Sequence, residues 1–169
     1  NAVTGTVERG MKMREILFRG KRIDNGKWAE GCLVIDESRT DLFGYRIQPT
    51  ESGNLFAPPV SPETVYQFTG LIDKNGKKIW ENDILMCHGN PDDLVKVVFG
   101  EFGVRDAETG IVVDKVIGWH YEVIPTDALS KCAPFCYPMP LTDRYIDQCN
   151  MKVVGNIFDN PELLNGEKK

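Results

Sequence analysis

The chain has 169 residues, 41% hydrophobic and 27% charged, the balance of an ordinary globular domain and not of a disordered segment. A net charge of −5 disfavours a bulk electrostatic grip on nucleic acid. Five cysteines, an odd number with no C-x-x-C spacing, speak against a secreted disulfide framework. No apolar run approaches the roughly 18 to 20 residues of a membrane helix. No signal-peptide pattern is present either, so a bacterial cytoplasmic setting is expected.

Residues 1–12 read as a cloning remnant, with Met11 or Met13 as the native start. From Met13 an extended segment carries Ile16 and Phe18 on one side by period two. Asp24-Asn25-Gly26-Lys27 then reads as a hairpin turn, followed by a strand from Trp28 to Ile35 and a shorter one from Leu42 to Ile47. The stretch 50–62 holds Ala57-Pro58-Pro59 and Ser61-Pro62; proline removes ladder donors, so this is a loop and a candidate subdomain junction. Ser61-Pro62-Glu63 could open one helical turn.

Residues 67–86, QFTGLIDKNGKKIWENDILM, form the organising stretch: two apolar runs around Lys74-Asn75-Gly76-Lys77. Asn-Gly between such runs signals a hairpin, because both residues tolerate the positive φ of a type I′ turn. The segment Asn25 to Val34 is a fainter echo of Asn75 to Met86. Further strands are expected over Leu94–Phe99, from Val104 after a turn at Gly100-Glu101-Phe102-Gly103, and over Lys115–Ile124. Ala107-Glu108-Thr109-Gly110 is another turn. After short helices at Thr126–Ser130 and Leu141–Gln148, separated by a Cys- and Pro-rich loop, a strand returns at Lys152–Phe158. Asn160-Pro161-Glu162 opens a last helical turn.

Few residues suggest chemistry. Cys87-His88 is a nucleophile-base pair by type, but neighbours on a strand point to opposite faces, so His88 reads as an exposed turn residue. Cys132, Cys136, Cys149, Cys87 and the histidines lack the two tight ligand pairs of structural zinc, so no metal and no cofactor is expected. Asp92-Asp93, Asp73, Glu81 and Asp83 are carboxylates without a matching histidine or metal pattern, and Asp73 belongs to turn chemistry. Trp28, Trp80, Trp119 and Tyr121 read as core. Arg14, Arg19, Lys21 and Arg22, with Lys12, Lys27 and Trp28 nearby, form a basic strand that could track a nucleic-acid backbone, or else a solvated sheet edge. The site residues expected are the structural turns Asn25, Gly26, Asn75 and Gly76, and no catalytic residue.

Three segments carry a resemblance. Residues 13–20 (MREILFRG), 67–84 (QFTGLIDKNGKKIWENDI) and 154–164 (VGNIFDNPELL) are similar, in order, to the opening, central and C-terminal motifs of YopX-like proteins of bacteriophages and prophages. Phe68 stands where that family usually has Tyr, and Asn82 where it usually has Gly. The resemblance implies a mainly β fold, an SH3-like small β-barrel with loop and short-helix additions. It spans one domain over 13–165, with a possible N-terminal β subdomain over 13–60 and the barrel over 61–165. It implies no activity. The expected function is a non-enzymatic interaction module that binds a protein partner or itself; the alternative is a nucleic-acid-binding accessory protein.

Overall fold

Short apolar segments punctuated by glycine-bearing turns pair here into two antiparallel sheets of five strands each. The computed structural model describes residues 15–39, 41–51, 55–106 and 108–165. The first sheet holds β1 (Phe18–Lys21), β2 (Trp28–Ile35), β3 (Tyr45–Gln48), β4 (Tyr66–Ile72) and β5 (Lys78–Trp80), in the order β3-β2-β1-β4-β5. The second holds β6 (Asp83–Met86), β7 (Leu94–Arg105), β8 (Val112–Val123), β9 (Met139–Pro140) and β10 (Lys152–Asn156), in the order β10-β6-β7-β8-β9. A short helix, α1 (Asp143–Gln148), precedes β10; the Thr142 hydroxyl caps it by accepting from the Tyr145 amide. The mainly β expectation holds. Both sheets are open, and no closed barrel is found among the described residues.

The sheets meet at Glu81 and Asn82, between β5 and β6. Asn82 takes a left-handed backbone, φ 61°, which Asn and Gly tolerate better than other residues. Its amide donates to the Val97 carbonyl and its carbonyl accepts from the Ile157 amide, so the sharp bend is tied to both β7 and the end of β10. Ile79 comes from β5, yet it packs into the main core with Leu85, Val95, Val97, Tyr121 and Met151 of the second sheet and its flanks. Leu17, Phe68 and Trp80 form a smaller core beside it.

The expected turns are present, with different geometry. Only the glycine of each Asn-Gly pair has positive φ, 68° at Gly26 and 79° at Gly76. The loops are therefore not the two-residue type I′ turns expected of them. At the second, the Gly76 amide donates to the Asp73 carbonyl and the Asp73 amide to the Lys77 carbonyl, which gives a longer loop with its left-handed residue last. The buried Asp73 carboxylate accepts from the amides of Asn75 and Lys77 with one oxygen and from Val153 of β10 with the other. A local turn side chain thus also pins one sheet to the other.

Three other expectations need correction. Gly100 to Gly103 is not a turn but the middle of the twelve-residue strand β7. Residues 126–130 form no helix; Asp127 and Ser130 instead bond each other's backbone in a bend. The last turn is a short 3₁₀ segment, Pro161–Leu164, in which the Asn160 side chain makes no cap. Residues 1–14, and with them the proposed remnant and Arg14, lie outside the described residues.

Candidate functional site

Three places combine polar or exposed apolar groups in ways that a partner could use: the basic strand, a cleft beside Cys87, and the outer half of the β7–β8 hairpin.

On β1, side chains alternate, so Arg19 points inward and is buried. Its guanidinium pairs with the fully buried Asp83 of β6, a bridge between the two sheets. Trp28, Trp80 and Tyr66 enclose the guanidinium, 4.7, 5.4 and 5.6 Å from their ring centroids. The second Asp83 oxygen accepts from the Trp80 amide at 2.9 Å. Burial pushes the Asp83 carboxyl above its ordinary range, against the pull of Arg19. Lys21 pairs with Asp159, which also accepts from the Trp28 indole at 2.8 Å and from Asn156 at 2.9 Å. Burial raises the Asp159 carboxyl, but the hydrogen bonds from Lys21, Asn156 and Trp28 outweigh it and bring it down to about 2. Arg22 holds Asp24 in an exposed bidentate pair. Arg19, Lys21 and Arg22 are thus each engaged with a carboxylate of the chain itself.

The cleft, of about 380 Å³, lies between the β6–β7 turn, β8 and the Cys- and Pro-rich loop. Cys87, Tyr121, Met139 and Cys149 line its floor, with His88 and Asp93 at the rim. His88 and Gly89 both have positive φ, 53° and 69°, and the Asn90 amide donates to the Cys87 carbonyl. The Cys87 amide in turn donates to the Asp93 carbonyl, so this tight turn sits inside a longer β6–β7 loop, and its two central residues take the left-handed backbone. The exposed His88 ring contacts Asp93, Nδ1 to Oδ2 at 2.7 Å. Burial pushes the Cys87 thiol up to about 12 and raises Cys149 too, so both are held as thiols, the less nucleophilic form. Cys32 and Cys132 are exposed elsewhere, and no group of three or more His, Cys, Asp or Glu side chains could hold a metal ion among the described residues.

The third place was not visible as a unit in the sequence. Beyond Val97, the only strand that β7 pairs with among the described residues is β8, and β8 from Val112 to Gly118 pairs only with β7. The two strands continue out of the sheet as a two-stranded arm. Gly100 stands opposite Gly118, and Phe102 stacks on the His120 ring, with centroids 4.7 Å apart. Gly100, which reads as a turn residue, lies here inside a strand, with the His120 ring beside it. Phe99 meets Trp119 edge to face at 4.9 Å. Ile117, Ile111 and Val113 remain 73%, 64% and 64% exposed, and Phe99 50%. The legible clue was the pair of apolar runs, VVFGEFGVR and IVVDKVIGW, on either side of the turn at 107–110.

The architecture is that of a mainly β protein of two open antiparallel sheets joined by a polar junction. The chain belongs to the YopX protein family, whose model matches residues 17–165. Among solved structures it is similar to the crystal structure of protein EF1440 from Enterococcus faecalis, at 20% identity and a TM-score of 0.41, over 90% of this chain and 99% of that one. No curated protein matches the chain. No helix among the described residues is long and apolar enough to cross a membrane.

Proposed function

We propose that this protein is a non-enzymatic interaction module, and that the β7–β8 arm is the element that binds. The observation that supports it is the arm's exposed apolar side chains on a ribbon whose two edges no strand covers among the described residues. A two-stranded ribbon is marginal alone in water, and exposed apolar patches and open edges mark association surfaces. The thiols of the cleft, held protonated by burial, favour this reading over nucleophilic chemistry. The nucleic-acid reading loses support where Arg19, Lys21 and Arg22 already hold carboxylates; salt-dependent retention on DNA and RNA tests it. The phage or prophage setting in a bacterial cytoplasm rests on the resemblance alone, and the neighbouring genes test it.

The direct test replaces Val113 and Ile117 together by lysine. Light scattering after size exclusion, and capture of a bacterial partner, should show association for the wild type and its loss in the variant, with an unchanged unfolding midpoint. Association that survives in the variant would overturn the reading.

A further inference from the structure

We infer that the partner on the arm is a second copy of this chain, joined edge to edge through β7 about a two-fold axis at Gly103. The inference deepens the reading of the arm as the binding element and rests on it. On β7 the carbonyl of Val97 and that of Asp93 face β6, so residues of odd number direct their backbone groups to that side. From Phe99 to Arg105 this same side is an open edge among the described residues. The irregularity between Val104 and Arg105 places the extra residue, Val113, on β8, so the β7 edge stays regular.

An antiparallel pairing of two β7 edges about Gly103 sets Glu101 opposite Arg105 of the other copy, twice. It sets Phe102 opposite Val104, also twice, on the other face. Both are favourable cross-strand pairs, opposite charges on one face and apolar groups on the other. Glycine at the axis leaves the two backbones free to approach. Each copy would contribute the outward N–H and C=O groups of Glu101, Gly103 and Arg105, about six main-chain hydrogen bonds across the edge. The present side-chain contacts suit this arrangement. Glu101 already pairs with Lys115 at 2.8 Å, so a guanidinium arriving from the open side would place the carboxylate between two cations. Arg105 stacks on Tyr137 at 3.8 Å and donates to the Gly110 carbonyl, but no carboxylate among the described residues pairs with it. Its guanidinium has further N–H groups to offer. In this register the two bodies lie at opposite ends of the paired arms.

The experiment uses the full chain and two charge reversals, Arg105→Glu and Glu101→Arg, with sedimentation velocity over a wide concentration range. The wild type should be a dimer. Each variant alone sets like charges opposite each other at both ends of the register and should dissociate at least about tenfold more readily. An equimolar mixture of the two variants restores both opposite-charge pairs and should form a one-to-one dimer. That recovery would not occur if the substitutions had merely unfolded the chain. A wild type that stays monomeric, or variants that dimerise as it does, or a mixture that fails to recover, would overturn the inference. The arm reading fails separately: a lysine at 117 stands opposite Glu101 and competes there with the other copy's Arg105, so the reading falls if the Val113 and Ile117 double lysine variant associates like the wild type. If that variant loses association while the charge reversals have no effect, the arm binds and this register is wrong.

Discussion

The junction between the sheets and the β7–β8 arm divide the polar and apolar side chains in opposite ways. At the junction, charges lie inside: Arg19 and Asp83 are buried in a box of aromatic rings, and Asp73 is buried against three backbone amides. On the arm, apolar side chains lie outside, with Ile117 exposed opposite Glu101. The polar residues that look most like a site are occupied in holding two sheets together. The apolar residues that look most like core are left without one. Function in this molecule is therefore better sought where burial is incomplete than where charge is densest.

The largest expected effect is at the junction. Asp83→Ala leaves the Arg19 guanidinium buried without its partner, and the Trp80 amide without its acceptor. Urea unfolding should show a loss on the order of 3–5 kcal/mol, the usual result of breaking a buried ion pair on one side. A loss within the range of an ordinary surface substitution would mean that the pair does not hold the sheets. Next comes Asp73→Ala, which removes the acceptor of three amides, one of them on β10. We expect about 1–3 kcal/mol in the same measurement, from stranded donors.

A smaller effect is carried by pH. The Asp159 carboxyl lies below its ordinary value when folded, at about 2. Its contribution is therefore present above the unfolded value near 3.8 and is lost as pH falls toward about 2. Because the side chain is a third exposed, the contribution is discounted to on the order of 1 kcal/mol. Asp159→Asn should flatten the stability profile between those values; an unchanged acid limb in chemical denaturation would show that the Lys21 and Trp28 contacts do not matter. The smallest effect on stability belongs to the arm. Ile117→Lys should move the unfolding free energy by no more than about 0.5 kcal/mol. The same variant should weaken association measured by light scattering, and a large stability loss without that weakening would turn the comparison around.

Much of the framework was legible locally. The apolar run LVKVV marks β7, the Asn-Gly pairs mark turns, and Ser61-Pro62 opens a 3₁₀ turn. Gly100 and Gly103 misled, because glycine signals a turn by its own preferences, while here both lie inside β7 and Gly103 leaves room for the Val112 side chain packed over it. His88 was read correctly as a turn residue, but its contact with Asp93 and the cleft beside it depend on how two strands and a distant loop come together.

The sequence by itself determined a mainly β chain, its Asn-Gly turns and its membership of the YopX family, since periodicity, turn chemistry and ordered motifs are properties of neighbouring residues. Only the tertiary structure decided which charges are free. Arg19 and Asp83 are 64 residues apart, Asp73 and Val153 are 80 apart, and Trp28 and Asp159 are 131 apart. A basic strand and its carboxylates cannot be seen as partners at such separations, because pairing across them depends on sheet order and not on spacing. The same holds for the arm: whether VVDKVIG is core or surface depends on whether another strand covers it, and among the described residues none does beyond its hairpin partner.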